Sequence, residues 1–263
     1  MRGIPGWLTR PRLILATAAG IAVAAGAGGT ALALGGPSSP HVATMPAGGL
    51  TRAELKVTSG TAILDISVGR LGGTLLRAST PDGAPVRPVL VNSGRAAPGL
   101  IVLSLAGAGP GEQGPGGAPA KGQDSGYAVK VVLNAAVTWS LDLAGGTQLT
   151  RVDLRGGKVA GIAVMAGSDT LDMRLPRPAG TLPLLLAGGV SQFLLSLPAG
   201  VPAQVTVGGG ASFLSLDGQH LTGIAGGTVV TSPGWAGATS RYDIDAISGF
   251  SRLAVSRPGA GGS

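Results

Sequence analysis

The sequence has no cysteine, only 3% aromatic residues, two histidines and 12% charged residues, where an ordinary globular chain carries roughly 25% charge. Without cysteine there is no disulfide, no thiol nucleophile, no thiolate metal site and no sulfur to carry a lipid after the apolar N-terminal stretch. His41 and His220 each lack a second histidine at ligand spacing, which leaves no histidine-based metal centre to argue for. Large side chains are too few for a thick core. What the chain has instead is glycine, 48 of 263 residues, and glycine allows short strands to approach one another closely.

Charge is scarce and unevenly placed. Lys and Arg total 19 against 12 Asp and Glu, a net +7. Three of the 19, Arg2, Arg10 and Arg12, precede the apolar segment, so 16 basic residues face 12 acidic ones in the remainder. No basic run with interleaved aromatics occurs, and the electrostatic footprint of a nucleic-acid binder is missing.

Residues 13–34 read LILATAAGIAVAAGAGGTALAL without a charge. As a helix they would span roughly 33 Å, about the thickness of a bilayer's hydrocarbon core. Residues 1–12 then form a basic cytoplasmic n-region, in keeping with the positive-inside rule. The segment is expected to be a transmembrane anchor, or alternatively a signal segment cleaved near Ala33. Both readings place the rest of the chain outside the membrane. Residues 35–49 (GGPSSPHVATMPAGG) are expected as a Pro/Gly/Ser linker. A β domain over 50–256 follows, with a mobile Gly/Pro loop at 106–126, and 257–263 is expected as a disordered tail.

The β domain carries a repeat. Gly146, Gly167, Gly189 and Gly210 lie 21, 22 and 21 residues apart. Counting from each glycine, offsets +4, +6 and +8 give Thr150, Val152, Leu154; Leu171, Met173, Leu175; Phe193, Leu195, Leu197; and Leu214, Leu216, Gly218. Even offsets share one face of a strand, so these side chains are expected to share a core. Weaker copies start at Gly60, Gly99 and Gly249. A repeat this short cannot bury its own face and implies stacking. The expected fold is all-β, a single-domain, right-handed β-solenoid-like stack of about 21-residue coils, preceded by one apolar helix. Leu175-Pro176 and Leu197-Pro198 should end strands. The rival, an antiparallel sandwich, predicts Asn-Gly or Asp-Gly hairpins, of which only Asp82-Gly83 and Asp217-Gly218 occur.

The motifs TWSLDLAGG, RVDLRGG, LPRPAG, SLPAG, VTVGGGASFLSLDG and RYDIDAISGFSRLAV resemble those of the putative-adhesin, or toast-rack, family of bacterial β-solenoid domains. The likeness runs from about Leu55 to Val255. It implies a stacked β architecture and an envelope location, and it supplies no catalytic residues.

The carboxylates are the candidates for chemistry, because stacked β proteins include polysaccharide-cleaving enzymes. Asp142, Asp153, Asp169 and Asp172 cluster in sequence, and Asp153 and Asp172 could stack on neighbouring coils. Glycoside cleavage needs two carboxyls roughly 5–9.5 Å apart. Arg151, Arg155 and Arg174 lie among them and favour surface ion pairs. There is no GxSxG elbow and no phosphate loop ending in Gly-Lys-Ser/Thr. No catalytic, cofactor or metal residue is therefore assigned. His220 is expected in a solvated turn, Tyr242 on an edge or capping coil, and Trp235 as a cap on the open end of the stack.

The reading is a non-catalytic cell-envelope surface protein: adhesin-like, scaffolding or sensing. Its partners would be the membrane through 13–34, envelope proteins or glycans, and further copies of itself. The alternative is an extracellular carbohydrate-active enzyme using the aspartate cluster.

Overall fold

The computed structural model describes residues 40–94, 98–107 and 127–257. The apolar segment 13–34, its expected helix and the cleavage point near Ala33 lie outside them. Among the described residues no helix is long and apolar enough to cross a membrane.

The described chain is all-β and forms two sheets, one of ten strands and one of nine. The repeat explains how. Each 21- or 22-residue unit contributes one strand to the nine-stranded sheet, turns at its glycine, and contributes the next to the ten-stranded sheet. Thus β8 (Thr138–Leu143) leads to β9 (Thr147–Asp153), and β10 (Lys158–Val164) to β11 (Ser168–Arg174). In the same way β12 (Thr181–Leu186) leads to β13 (Val190–Ser196), and β14 (Ala203–Val207) to β15 (Ala211–Leu216). Strands β11 and β13 end one residue before Leu175-Pro176 and Leu197-Pro198, as expected.

The outer glycine copies join the stack, but not in sequence order. The pair β2 (Arg52–Val57) and β3 (Thr61–Gly69) lies beside β8 and β9. The pair β18 (Arg241–Ala246) and β19 (Phe250–Ser256) inserts between the β12–β13 and β14–β15 units. The Gly99 copy starts β6 (Leu100–Gly107), a strand of the nine-stranded sheet rather than of the ten-stranded one. It is followed by β7 (Ala128–Asn134), which flanks β3. These unit-to-unit pairings are parallel, which removes the all-antiparallel sandwich.

Antiparallel strands stand at both ends. At one end are β1 (His41–Pro46), β4 (Thr74–Thr80) and β5 (Val86–Asn92). At the other are β16 (Gln219–Ile224) and β17 (Thr228–Thr231). The β15–β16 hairpin turns on Asp217 and Gly218, both at positive φ (47° and 82°), the conformation that a two-residue primed turn demands.

Three expected boundaries move. The linker assigned to 35–49 contains β1, because Ala43 is buried and Met45 packs on the core while β4 supplies hydrogen bonds. The loop assigned to 106–126 starts later, since Ala106 and Gly107 still belong to β6; residues 108–126 lie outside those described. Arg257, assigned to the tail, is held by Asp217.

Between the sheets the core is a ladder of like positions. In the ten-stranded sheet the register aligns Leu64, Thr150, Leu171, Phe193, Leu253 and Leu214 on successive strands, all buried. Burial of each large apolar member is worth about 1.5–3 kcal/mol. Thr150, the polar exception, is satisfied by the Thr147 hydroxyl at 2.6 Å. The glycines form a seam along the corner. The amide of Thr61 donates to Gly146 O, that of Thr147 to Gly167 O and that of Ser168 to Gly189 O, each at 3.1 Å. At neighbouring corner positions the backbones press closer still: a Cβ on Gly145 would stand 2.1 Å from Ser59 O, and one on Gly188 2.1 Å from Ala166 O.

Candidate functional site

The expected aspartate cluster is taken apart by the topology. Asp142 belongs to β8 in the nine-stranded sheet, whereas Asp153, Asp169 and Asp172 lie on β9 and β11 in the other. Asp142 accepts from Lys56 Nζ at 2.7 Å, its register partner on β2. The stacking of Asp153 on Asp172 does not occur. The parallel register sets Asp172 against Arg151 and Asp153 against Arg174. One row then reads Lys130, Asp65, Arg151, Asp172 across β7, β3, β9 and β11, alternating in sign. Arg151 lies 3.6 Å from Asp65, Arg174 3.7 Å from Asp172, and Arg155 2.7 Å from Asp153. Hydrogen bonding from Arg155 lowers the Asp153 carboxyl below its ordinary range. Among the described residues no three His, Asp or Glu side chains converge as metal ligands would.

A different cluster forms where β19 slots between β13 and β15. The register aligns Gln192, Arg252 and Phe213, then Thr222 of β16, in one outward row. The next outward row is Leu194, Ala254, Ser215 and His220. Arg252 lies over the Phe213 ring, with its guanidinium carbon 4.5 Å from the centroid. His220 stacks against the same Phe213 ring, with the centroids 6.2 Å apart and the planes inclined by 23°. His220 is thus on a strand, not in a solvated turn. On the glycine side, Val190 pairs with Phe250 and Ala211 with Phe250, so Ser191, Ser251 and Ser212 fall level with one another. These three exposed serines and the seam glycines Gly189, Gly210 and Gly249 line an open groove of ≈ 550 Å³.

The pattern did carry a signal for this cluster. Offset +3 from the seam glycine gives Gln192, Arg252 and Phe213 from Gly189, Gly249 and Gly210. What sequence order hides is that the Gly249 unit lies between the other two.

The aromatic residues singled out from sequence are structural. Tyr242 is buried in β18, inside the sheet between β12 and β14 rather than on an edge, and its hydroxyl donates to Pro176 O at 2.5 Å. Burial raises its pKa. Trp235 does not cap the end of the stack. Its Nε1 donates to Tyr242 O at 2.8 Å, and Arg241 lies 4.4 Å over its ring, so it seals the start of an interior strand. The ends are closed by antiparallel strands instead. Trp139 is buried and donates to Asn134 O at 3.0 Å.

Neither a protein-family model nor a curated protein sequence matches the chain. The fold is similar to that in the crystal structure of a putative cell adhesion protein from Clostridium sporogenes ATCC 15579, with a TM-score of 0.55. Identity is 13%, and the match covers 83% of this chain and 100% of that one. At that identity the likeness is one of fold.

Proposed function

We propose that this chain is a non-catalytic cell-envelope surface protein whose β stack is displayed outside the membrane by residues 13–34, or released after cleavage near Ala33. We read the stack as a β-solenoid of the putative-adhesin, or toast-rack, type, rigid along its axis and suited to adhesion, scaffolding or envelope sensing. The observation that carries the non-catalytic part is the pairing of the aspartates. Asp142, Asp153 and Asp172 each have a basic partner, and Asp142 lies on the opposite sheet from the rest. Separated, neutralised carboxylates suit a stable surface better than an acid–base pair. The fold shared with a protein named for cell adhesion supports the adhesive role.

The test is the N-terminal mass of the chain recovered from membrane and medium fractions of the producing cell. An intact Met1 in membranes, or a new terminus near Leu34 in the medium, is the expected result. Recovery of intact chain from the cytosol alone would overturn the reading.

A further inference from the structure

We propose that the outer face around Arg252, Phe213 and His220, with the serine groove beside it, is a binding platform for a carboxylate-bearing polysaccharide. The inference rests on the exported, non-catalytic reading above and names the ligand class for that surface.

Charge is the first ground. On this outer face Arg151 and Arg174 are engaged by Asp65 and Asp172. Among the described residues Arg252 has no carboxylate within ion-pair distance. It is exposed, and its guanidinium is laid on the Phe213 ring. Stacking of this kind orders the long side chain before any ligand arrives, which lowers the ordering cost of binding. The N–H edges of a stacked guanidinium stay free to donate two parallel hydrogen bonds to a carboxylate.

Shape is the second. Phe213 and His220 hold two near-parallel, stacked rings at the surface. Between Leu194, which is 37% exposed, and His220 the row holds only Ala254 and Ser215. Two small residues flanked by large ones leave a shallow trough with apolar walls, where the C–H face of a sugar ring can rest. On the far side of Arg252 the hydroxyls of Ser191, Ser251 and Ser212 stand one per strand. Each hydroxyl both donates and accepts, as sugar hydroxyls do. Neighbouring strands are about 4.8 Å apart, so the row repeats on the scale of a sugar unit.

Openness is the third. The groove is unenclosed and runs across three strands, which suits a segment of polymer better than a small molecule. Within the platform Arg252 is the one unpaired cation among the described residues, too little for a nucleic acid, whose affinity comes from several phosphate contacts.

The experiment is calorimetric titration of the full-length chain with three probes: polygalacturonate, neutral dextran and polyphosphate. Polygalacturonate should bind, with dextran and polyphosphate each weaker by about tenfold or more. Arg252→Gln should weaken polygalacturonate by about tenfold, the effect of losing a charge-assisted hydrogen bond. His220→Ala, an exposed change on an edge strand, should weaken it by a smaller factor. Arg87→Gln, on the far edge of the other sheet, should leave it unchanged. Failure of polygalacturonate to bind, unaltered binding by Arg252→Gln, equal loss with Arg87→Gln, or equal affinity for polyphosphate would each overturn the platform. Shortening of the polymer, with binding still lost in Arg252→Gln, would support the platform and overturn the non-catalytic reading.

Discussion

Arg257 donates to both carboxylate oxygens of Asp217, from Nε at 2.9 Å and from Nη2 at 3.2 Å. The same carboxylate accepts from Ser232, whose hydroxyl also accepts from the amide of Ala203. Arg257 in turn donates to Val201 O and Pro198 O. One ion pair therefore ties together the segment after β19, the β15–β16 turn, the loop before β14 and the residue after β17.

The pH dependence follows from this arrangement. Hydrogen bonds from Arg257, then from Ser232, hold the Asp217 carboxyl below its ordinary value of 3.8. A depressed folded pKa gives stability that is present above the unfolded value and lost as pH falls through the folded one. Asp217→Asn keeps a residue tolerant of positive φ and removes the charge. Its urea midpoint should lie below that of the parent at pH 7, by about 1 kcal/mol in stability. The gap should close below pH 3.8. A gap that persists unchanged in acid would show that the turn, not the charge, carries the effect.

The corner seam gives a contrast between neighbouring glycines. A Cβ on Gly188 would meet Ala166 O at 2.1 Å, whereas one on Gly167 would meet Gly189 O at 3.4 Å. Gly188→Ala must displace backbone and should cost about 3 kcal/mol or more. Gly167→Ala should stay within about 1 kcal/mol. Thermal melts followed by circular dichroism would separate the two, and equal melting temperatures would refute a packed seam.

Asn134 is buried and fully used. Its Nδ2 donates to Gly72 O and Thr74 O at 3.0 and 2.7 Å, and its Oδ1 accepts from the amide of Ala136 at 3.0 Å. Asn134→Leu removes all three of these hydrogen bonds from a buried position beside Trp139. The expected loss is about 2–4 kcal/mol, read from the denaturant midpoint.

Tyrosine titration probes the interior of β18. The chain has two tyrosines, Tyr127 and Tyr242. Desolvation raises both, and Tyr242 far more strongly. With a raised folded pKa, the associated stability is intact below the ordinary value of 10.0 and declines as pH rises beyond it. Ultraviolet titration should show one tyrosine ionising in the folded protein and the second only with unfolding. Tyr242→Phe should remove the late step and cost about 1 kcal/mol through Pro176 O.

Much of the fold could be read from spacing alone. The +4, +6 and +8 positions after Gly167 and Gly189 are buried as the alternation requires, because period two is a local property of a strand. The strand stops before Leu175-Pro176 and Leu197-Pro198 were legible for the same reason. What sequence order could not give was which unit lies beside which. Register decides whether Asp153 meets Asp172 or Arg174, and register is set by long-range packing. The same holds for Arg252 and Phe213, 39 positions apart, whose contact exists because β19 displaces β15 from β13. Tyr242 differs from its expected place because a strand's rank in a sheet, edge or interior, is not written in its own residues, and His220 because the strand that leaves the Asp217-Gly218 turn begins at once, at Gln219.

The intercalated end units act as keystones. The slot between β7 and β9 is filled by β3 from the beginning of the domain, and that between β13 and β15 by β19 from its close. Neither can be trimmed to leave a shorter pair of sheets, since each removal opens a gap in mid-sheet. A chain threaded across a membrane N-terminus first would have to hold β2 and β3 in waiting until β8 and β9 emerge, and could not finish until β18 and β19 arrive. Assembly is therefore all or nothing: neither intercalated pair can dock until the units on both sides of it are present.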